Sequence, residues 1–159
     1  MFVLARAVTY AALFIGLVLV FLPRQVLTWS GIVAPTTVGP AQIAGLIVAA
    51  LGAALAIWCV VTFVVIGRGT PAPFDPPRAL VTRGPYGMVR NPMYIGAALA
   101  LAGAALYYQS LPLLGYTAGF LLVTHLFVIG YEEPTLRRMF GAMYEEYCAR
   151  VRRWVPRRR

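Results

Sequence analysis

The chain contains no lysine, a single histidine, two cysteines and five carboxylate side chains in 159 residues. Each scarcity closes off a class of chemistry. His125 has no second histidine or thiolate at ligand spacing, so no metal centre is expected. Cys59 lies inside an apolar run and Cys148 near the C-terminus, in no CxxC or metal-ligand pattern. Both read as unpaired packing residues without redox chemistry. Only 12% of residues are charged, against 60% hydrophobic and a mean hydropathy of +0.75. That balance is far from a soluble globular mixture and describes an integral membrane protein. Four spans of roughly 20 residues each would use about half of the length. The expectation is therefore one domain over residues 1–159, with no separate soluble catalytic domain. All fourteen basic residues are arginine and the net charge is +9. Because the arginines flank apolar segments, anionic membrane lipids rather than nucleic acid are the expected partners.

The predicted fold class is all-α, with about four transmembrane helices, a proline-rich cytoplasmic loop and a C-terminal amphipathic interfacial helix. Spans are expected at residues 2–22, 41–67, 93–108 and 112–130. The first run has too long an apolar core for a signal peptide, and no small-x-small site follows Pro23, so it reads as a retained span. Residues 23–40 read as a loop carrying Arg24. In the second run Ala44, Gly45, Ala49, Gly52 and Ala53 recur at near-helical spacing and permit close approach of another helix. Residues 68–92 contain Pro71, Pro73, Pro76, Pro77, Pro85 and Pro92, so no regular helix can run through them. Gln109, Ser110 and Pro112 join the last two spans as a helical hairpin. With both termini cytoplasmic, Arg6, Arg68, Arg78, Arg83, Arg90 and the eight arginines from Arg137 onward fall inside, and only Arg24 outside. After Pro134, Leu136, Phe140, Met143, Tyr147 and Val151 form the apolar stripe of an interfacial helix. The closing "RRWVPRRR" reads most simply as a basic headgroup anchor.

Three features could carry chemistry. His125 precedes Glu132 by seven residues, which on an α-helix sets both on one face. Glu132 and Glu133 stand just before Pro134, which marks a break or kink. Two readings of the pair stay open: Glu133 bonding Arg137 with Glu132 solvated, or a negatively lined pocket for a cation. The third feature is the stretch "RGPYGMVRNPMY" over residues 83–94. In it Gly84 and Gly87 permit turns, Pro92 starts a helix with Asn91 as its cap, and Arg90, Tyr86 and Tyr94 gather polar groups there.

These residues carry a resemblance. "GPYGMVRNPMYIG" followed by "HLFVIGYEEPTLRRMFGAMYEEYCARVRRWVP" resembles the isoprenylcysteine carboxyl methyltransferase and phospholipid methyltransferase superfamily, over roughly residues 68–157. The resemblance, closest to bacterial-type members of the inner (cell) membrane, implies a membrane-embedded S-adenosylmethionine-dependent methyltransferase without a Rossmann domain. It also implies a cofactor pocket at the cytosolic ends of the last spans, within residues 83–157, closed by the C-terminal segment. Carried over, Arg90, Asn91, Pro92, Tyr94 and Gly96 fall on the first motif, with Tyr86 upstream. Glu132, Glu133 and Leu136 fall on the second, and Tyr144 with Phe140, Gly141 and Tyr147 on the closing helix. Asn91 stands where eukaryotic members have histidine. An amide can hydrogen-bond a cofactor but does not titrate as histidine does.

The expected catalytic residues are Arg90 and Glu133. Tyr86, Asn91, Pro92, Tyr94, Gly96, His125, Glu132, Glu133 and Tyr144 are the expected cofactor contacts. Carboxylates suit the ammonium and sulfonium charge of S-adenosyl-L-methionine, and Arg90 suits an anionic substrate or the cofactor carboxylate. The substrate would be lipid-like and enter sideways between spans. Two rivals are a nicotinamide-dependent membrane enzyme like the steroid reductases, whose layout is related, and a non-catalytic helical scaffold. Oligomeric state is open, because small-residue faces serve both intrachain and interchain packing.

Overall fold

The structure is a computed structural model that describes residue 9, residues 12–67 and residues 79–157. Arg6, Arg68, Asp75, Arg78 and the prolines from Pro71 to Pro77 lie outside the described residues, as does the start of the first apolar run. Every regular element among the described residues is helical. The helices are α1 (Ala12–Trp29), α2 (Pro40–Gly67), α3 (Pro92–Tyr107), α4 (Leu111–Phe140) and α5 (Ala142–Arg150). A single 3-10 turn, Gly84–Gly87, precedes α3. Helices α1, α2 and α4 are long and apolar enough to cross a membrane; α3 is a shorter apolar helix of 16 residues.

Two expected boundaries move, for one physical reason. The first span was expected to end before Pro23 and the fourth near Gly130, yet both helices run on, to Trp29 and Phe140. In each, a π-helical turn comes just before the proline: Ile15–Phe21 before Pro23, and Val128–Glu132 before Pro134. The wider turn shifts the hydrogen bonds by one residue, so that Leu22 N–H donates to Leu17 O and Glu133 N–H to Val128 O. A missing proline N–H is thereby absorbed without breaking the helix. In α1 the shift strands the Val18 carbonyl, whose donor in this register would be Pro23. The hydroxyl of Tyr116 on α4 donates to it at 2.8 Å. Within a bilayer no water could do so.

Helices α2 and α3 pack antiparallel along a seam of small residues. Gln42, Gly45, Ala49, Gly52, Ala56 and Cys59 follow one another at alternating spacings of three and four, the repeat of a helix-pairing face. Gly45 meets Gly103, and Gly52 meets Gly96: a Cβ on Gly45 would lie 2.7 Å from Gly103 O, and one on Gly52 2.5 Å from Gly96 O. Ala44 and Ala53, expected to share this face, are exposed. Gln42 Nε2 closes the far end by donating to Tyr107 O at 3.4 Å. On the other side of α3, Ala97, Ala98 and Leu101 pack with Phe120 of α4, and Phe14 and Val18 of α1 complete this core. The α3–α4 turn is tight. Gln109 takes a left-handed φ of 48°, and Ser110 caps α4 by accepting from Leu113 N–H at 3.1 Å.

The amphipathic segment after Pro134 is not one helix. Gly141, at φ 52°, separates the end of α4 from α5 and resets the register. Met143, expected on the apolar stripe with Tyr147 and Val151, is 61% exposed, while Tyr144 joins those two inside.

Substituting Gly52→Val should cost about 3 kcal/mol, since the backbone of α3 at Gly96 and Ala100 blocks the added carbons. Gly119→Val, on α4 with open space around it, should be neutral. Equal unfolding midpoints of the two variants in detergent would refute the seam. Tyr116→Phe should cost about 1 kcal/mol by stranding the Val18 carbonyl. An unchanged midpoint would show that this bond contributes nothing.

Candidate functional site

The polar groups of the chain converge where α3 begins, α4 leaves its π turn and the C-terminal segment returns. Gly84, at φ 60°, turns the chain so that Tyr86 lies buried at the end of α2, edge-on to Phe63 with ring centroids 5.1 Å apart. The Tyr86 hydroxyl shares a hydrogen bond with the Cys59 thiol. Pro92 then opens α3 as its first residue and is itself buried.

Asn91 occupies the N-cap position but makes no side-chain cap, contrary to expectation. Its Nδ2 instead donates to Arg153 O at 3.3 Å, reaching across to the C-terminal segment. The backbone beside it does the same, Arg90 N–H donating to Arg152 O at 2.9 Å. Residues 151–157 are thus strapped along the start of α3. Trp154 fastens the strap on the other side: its Nε1 donates to His125 Nδ1 at 3.0 Å.

The two adjacent carboxylates have different surroundings. Glu133 is buried, its side chain 5% exposed, and sits between two guanidiniums. Arg153 grips it with two bonds, Nε to Oε1 at 2.6 Å and Nη2 to Oε2 at 2.9 Å, and Arg90 Nη1 lies 3.3 Å from Oε1. Such a fork-on-carboxylate pair is short and directional. Glu132 instead meets a neutral partner, accepting from the Tyr94 hydroxyl at 3.1 Å. Among the described residues no guanidinium lies within ion-pair distance of Glu132. Arg90 also donates from Nη1 to Cys148 Sγ at 2.7 Å, while its buried Nε has no hydrogen-bond partner.

Around this cluster the aromatic hydroxyls of Tyr86, Tyr144 and Tyr147 all have pKa values pushed well up, chiefly by burial. They stay protonated at neutral pH and act as donors, not bases. Tyr147 does so visibly, donating to Tyr86 O at 2.7 Å.

Of the expected site residues, the structure brings together Arg90, Asn91, Tyr94, Glu132 and Glu133, with Tyr86 and Tyr144 packed alongside. His125 bonds Trp154 rather than facing Glu132; the π turn between them removes the α-helical register that would align them. Gly96 lies in the α2 seam, where a Cβ would be 2.8 Å from Gly52 O. Of the two readings left open, the Glu133–Arg137 pair does not form, since Arg137 bonds Glu145 at 2.8 Å across Gly141. Arg153 and Trp154 were missed, having been read as a headgroup anchor. The signal was Trp154 itself, a large aromatic set among arginines just after the buried Val151.

Fold and cluster together define an all-α membrane protein with an acidic and guanidinium site at one end of its helices. A family model described as phospholipid methyltransferase matches residues 40–143, and the chain belongs to that family of membrane methyltransferases. The match runs from α2 into the start of α5 and includes the first motif segment and Glu132, Glu133 and Leu136 of the second, while Tyr144 and the strap lie beyond it. Searches of curated proteins and of solved structures found no match to the chain.

Arg153→Ala should destabilise the fold by about 2 kcal/mol, because Glu133 loses two charge-assisted bonds, and should speed tryptic release of the C-terminal segment. Arg138→Ala, at the surface, should do neither. Cleavage at the same rate in the two variants would mean that Arg153 does not hold the strap.

Proposed function

We propose that the chain is an S-adenosylmethionine-dependent methyltransferase acting on a lipid-like or membrane-partitioned substrate. The observation that carries this reading is the unequal pairing of the two carboxylates beside an orphaned donor. Glu133 absorbs both guanidiniums, Glu132 holds a phenol, and Arg90 Nε has no acceptor. A ligand with both an ammonium and a carboxylate complements this arrangement, the cation at Glu132 and the anion at Arg90. The amino-acid end of S-adenosylmethionine is such a group, so the residues present fit it. When bound, that cofactor supplies an electrophilic methyl group on a sulfonium.

The chain's own residues then have distinct tasks. Glu132 holds positive charge, and Tyr94 keeps its carboxylate oriented by donating to Oε2. Arg90 binds an anionic group, with Glu133 and the bidentate Arg153 fixing the plane of its surroundings. Tyr86 and Tyr144 offer aromatic faces, and Asn91 ties the strap to the start of α3. Because Arg90 Nε is buried, admitting a ligand requires the strap of residues 151–157 to move. Reclosure would exclude water and hold the reactants in near-attack geometry. In this reading residues 1–159 form one domain in the bacterial inner membrane, with the site on the cytoplasmic face, where thirteen of the fourteen arginines fall. The methyl acceptor is the carboxyl of a prenylcysteine-like compound or the amine of a lipid headgroup, reached from the bilayer.

The test is calorimetric titration of the purified protein in detergent with S-adenosylmethionine, beside NADPH. Saturable binding of the first alone is expected, weakened roughly tenfold or more by Glu132→Gln. Saturable binding of NADPH in its place would transfer the chain to reductase chemistry. Incubating membranes with labelled donor and separating the lipids then identifies the acceptor.

A further inference from the structure

A second polar feature lies outside the Arg90–Glu133 cluster. Between the segment that leads into α3 and the C-terminal strap opens a cleft of about 700 Å³. Arg150, on the last turn of α5, Arg157, on the strap, and Thr82 are among the residues that line it. Among the described residues that line it there is no carboxylate. Met88, Val151 and Pro156 supply apolar wall, and Met88 is 60% exposed. Among the described residues the two guanidiniums are not used up. Arg157 spends only Nη1, donating to Ala149 O at 2.8 Å, and Arg150 forms no ion pair among the described residues.

We infer that this cleft is a binding site for a phosphate group, and that a glycerophospholipid headgroup at the membrane surface fits it. Two guanidiniums and a hydroxyl match the acceptor oxygens of a phosphate, which guanidinium forks recognise well. The apolar wall suits the glycerol and upper acyl carbons, which free phosphate lacks. Neighbouring Val155, 63% exposed, extends apolar surface outside the cleft. A bound headgroup touches both sides of the cleft, so it joins the α3 approach to the strap that carries Arg153 and Trp154. It thereby favours the closed strap, a role separate from that of any methyl donor or acceptor.

The experiment uses the full chain in a neutral detergent and follows its unfolding midpoint. Dioctanoylphosphatidylglycerol at saturation should raise the midpoint by about 3 °C or more. Dioctanoylglycerol, with the same apolar body and no phosphate, should not. Arg150→Gln removes no ion pair among the described residues and should abolish at least half of the shift, whereas Arg24→Gln on α1 should keep it whole. A full shift retained by Arg150→Gln, or an equal shift from dioctanoylglycerol, would overturn the assignment. Inorganic phosphate distinguishes the source. No shift from it makes the lipid headgroup the ligand, and a full shift makes the site one for free phosphate.

Discussion

The contact on which the rest of the molecule depends is the meeting of two glycine pairs between α2 and α3. Lipid tails are as apolar as leucine side chains, so no hydrophobic force pulls two helices together inside a bilayer; close packing must do it. Gly45 against Gly103 and Gly52 against Gly96 are spaced seven residues apart on each helix and run in opposite directions. Two such points fix both the height and the rotation of α3 on α2. From that placement follows the position of Arg90, Asn91 and Tyr94 beside the end of α2, where Cys59 and Phe63 receive Tyr86. A short helix with no polar anchor in its middle has few other means of holding a site at constant depth.

The second constraint is proline in a medium without water. Pro23 and Pro134 would each leave a carbonyl unsatisfied in an α-helix, and each is preceded by a π turn. In α1 the cost is met by Tyr116, which also ties α1 to α4. In α4 the π turn shapes the polar cluster. It rotates Glu132 and Glu133 relative to the upstream helix, so that one carboxylate reaches Tyr94 and the other reaches Arg90 and Arg153. Proline there is less a terminator than a device for aiming two adjacent side chains.

That distinction also explains what could be read from the sequence and what could not. Apolar runs, the hairpin at Gln109–Ser110 and the small-residue face of α2 were legible, because length and helical periodicity determine them. So was the convergence of residues 83–94 with Glu132 and Glu133, since two polar stretches bracket one hairpin. The ends of α1 and α4 were misjudged because a local rule, that proline breaks a helix, gave way to a π turn that depends on satisfying a carbonyl. The His125–Glu132 alignment failed for the same reason. Asn91 looked like a cap because its local sequence allows one; its actual partner, Arg153 O, lies 62 residues away and leaves no local trace. Arg153 and Trp154 were hidden by composition, two specific contacts inside a tail whose charge explains itself too easily.

The charges of the site can be weighed as a unit. With both carboxylates ionised, Arg90, Arg153, Glu132 and Glu133 sum to zero, which limits the desolvation penalty of gathering charges at the end of apolar helices. The neutrality is not evenly distributed. Both positive charges lie on Glu133, while among the described residues Glu132 meets only the Tyr94 phenol, so the cluster carries a separated excess of each sign. An arrangement selected for stability alone would pair each carboxylate with one guanidinium. Among the described residues Glu132 is left without a cation and Arg90 Nε without an acceptor, and unpaired polar groups of this kind raise the energy of a buried cluster, which a ligand of complementary polarity would lower. On the proposed reading, a zwitterionic methyl donor would relieve both at once without changing the net charge, and the strap that carries Arg153 would close over it.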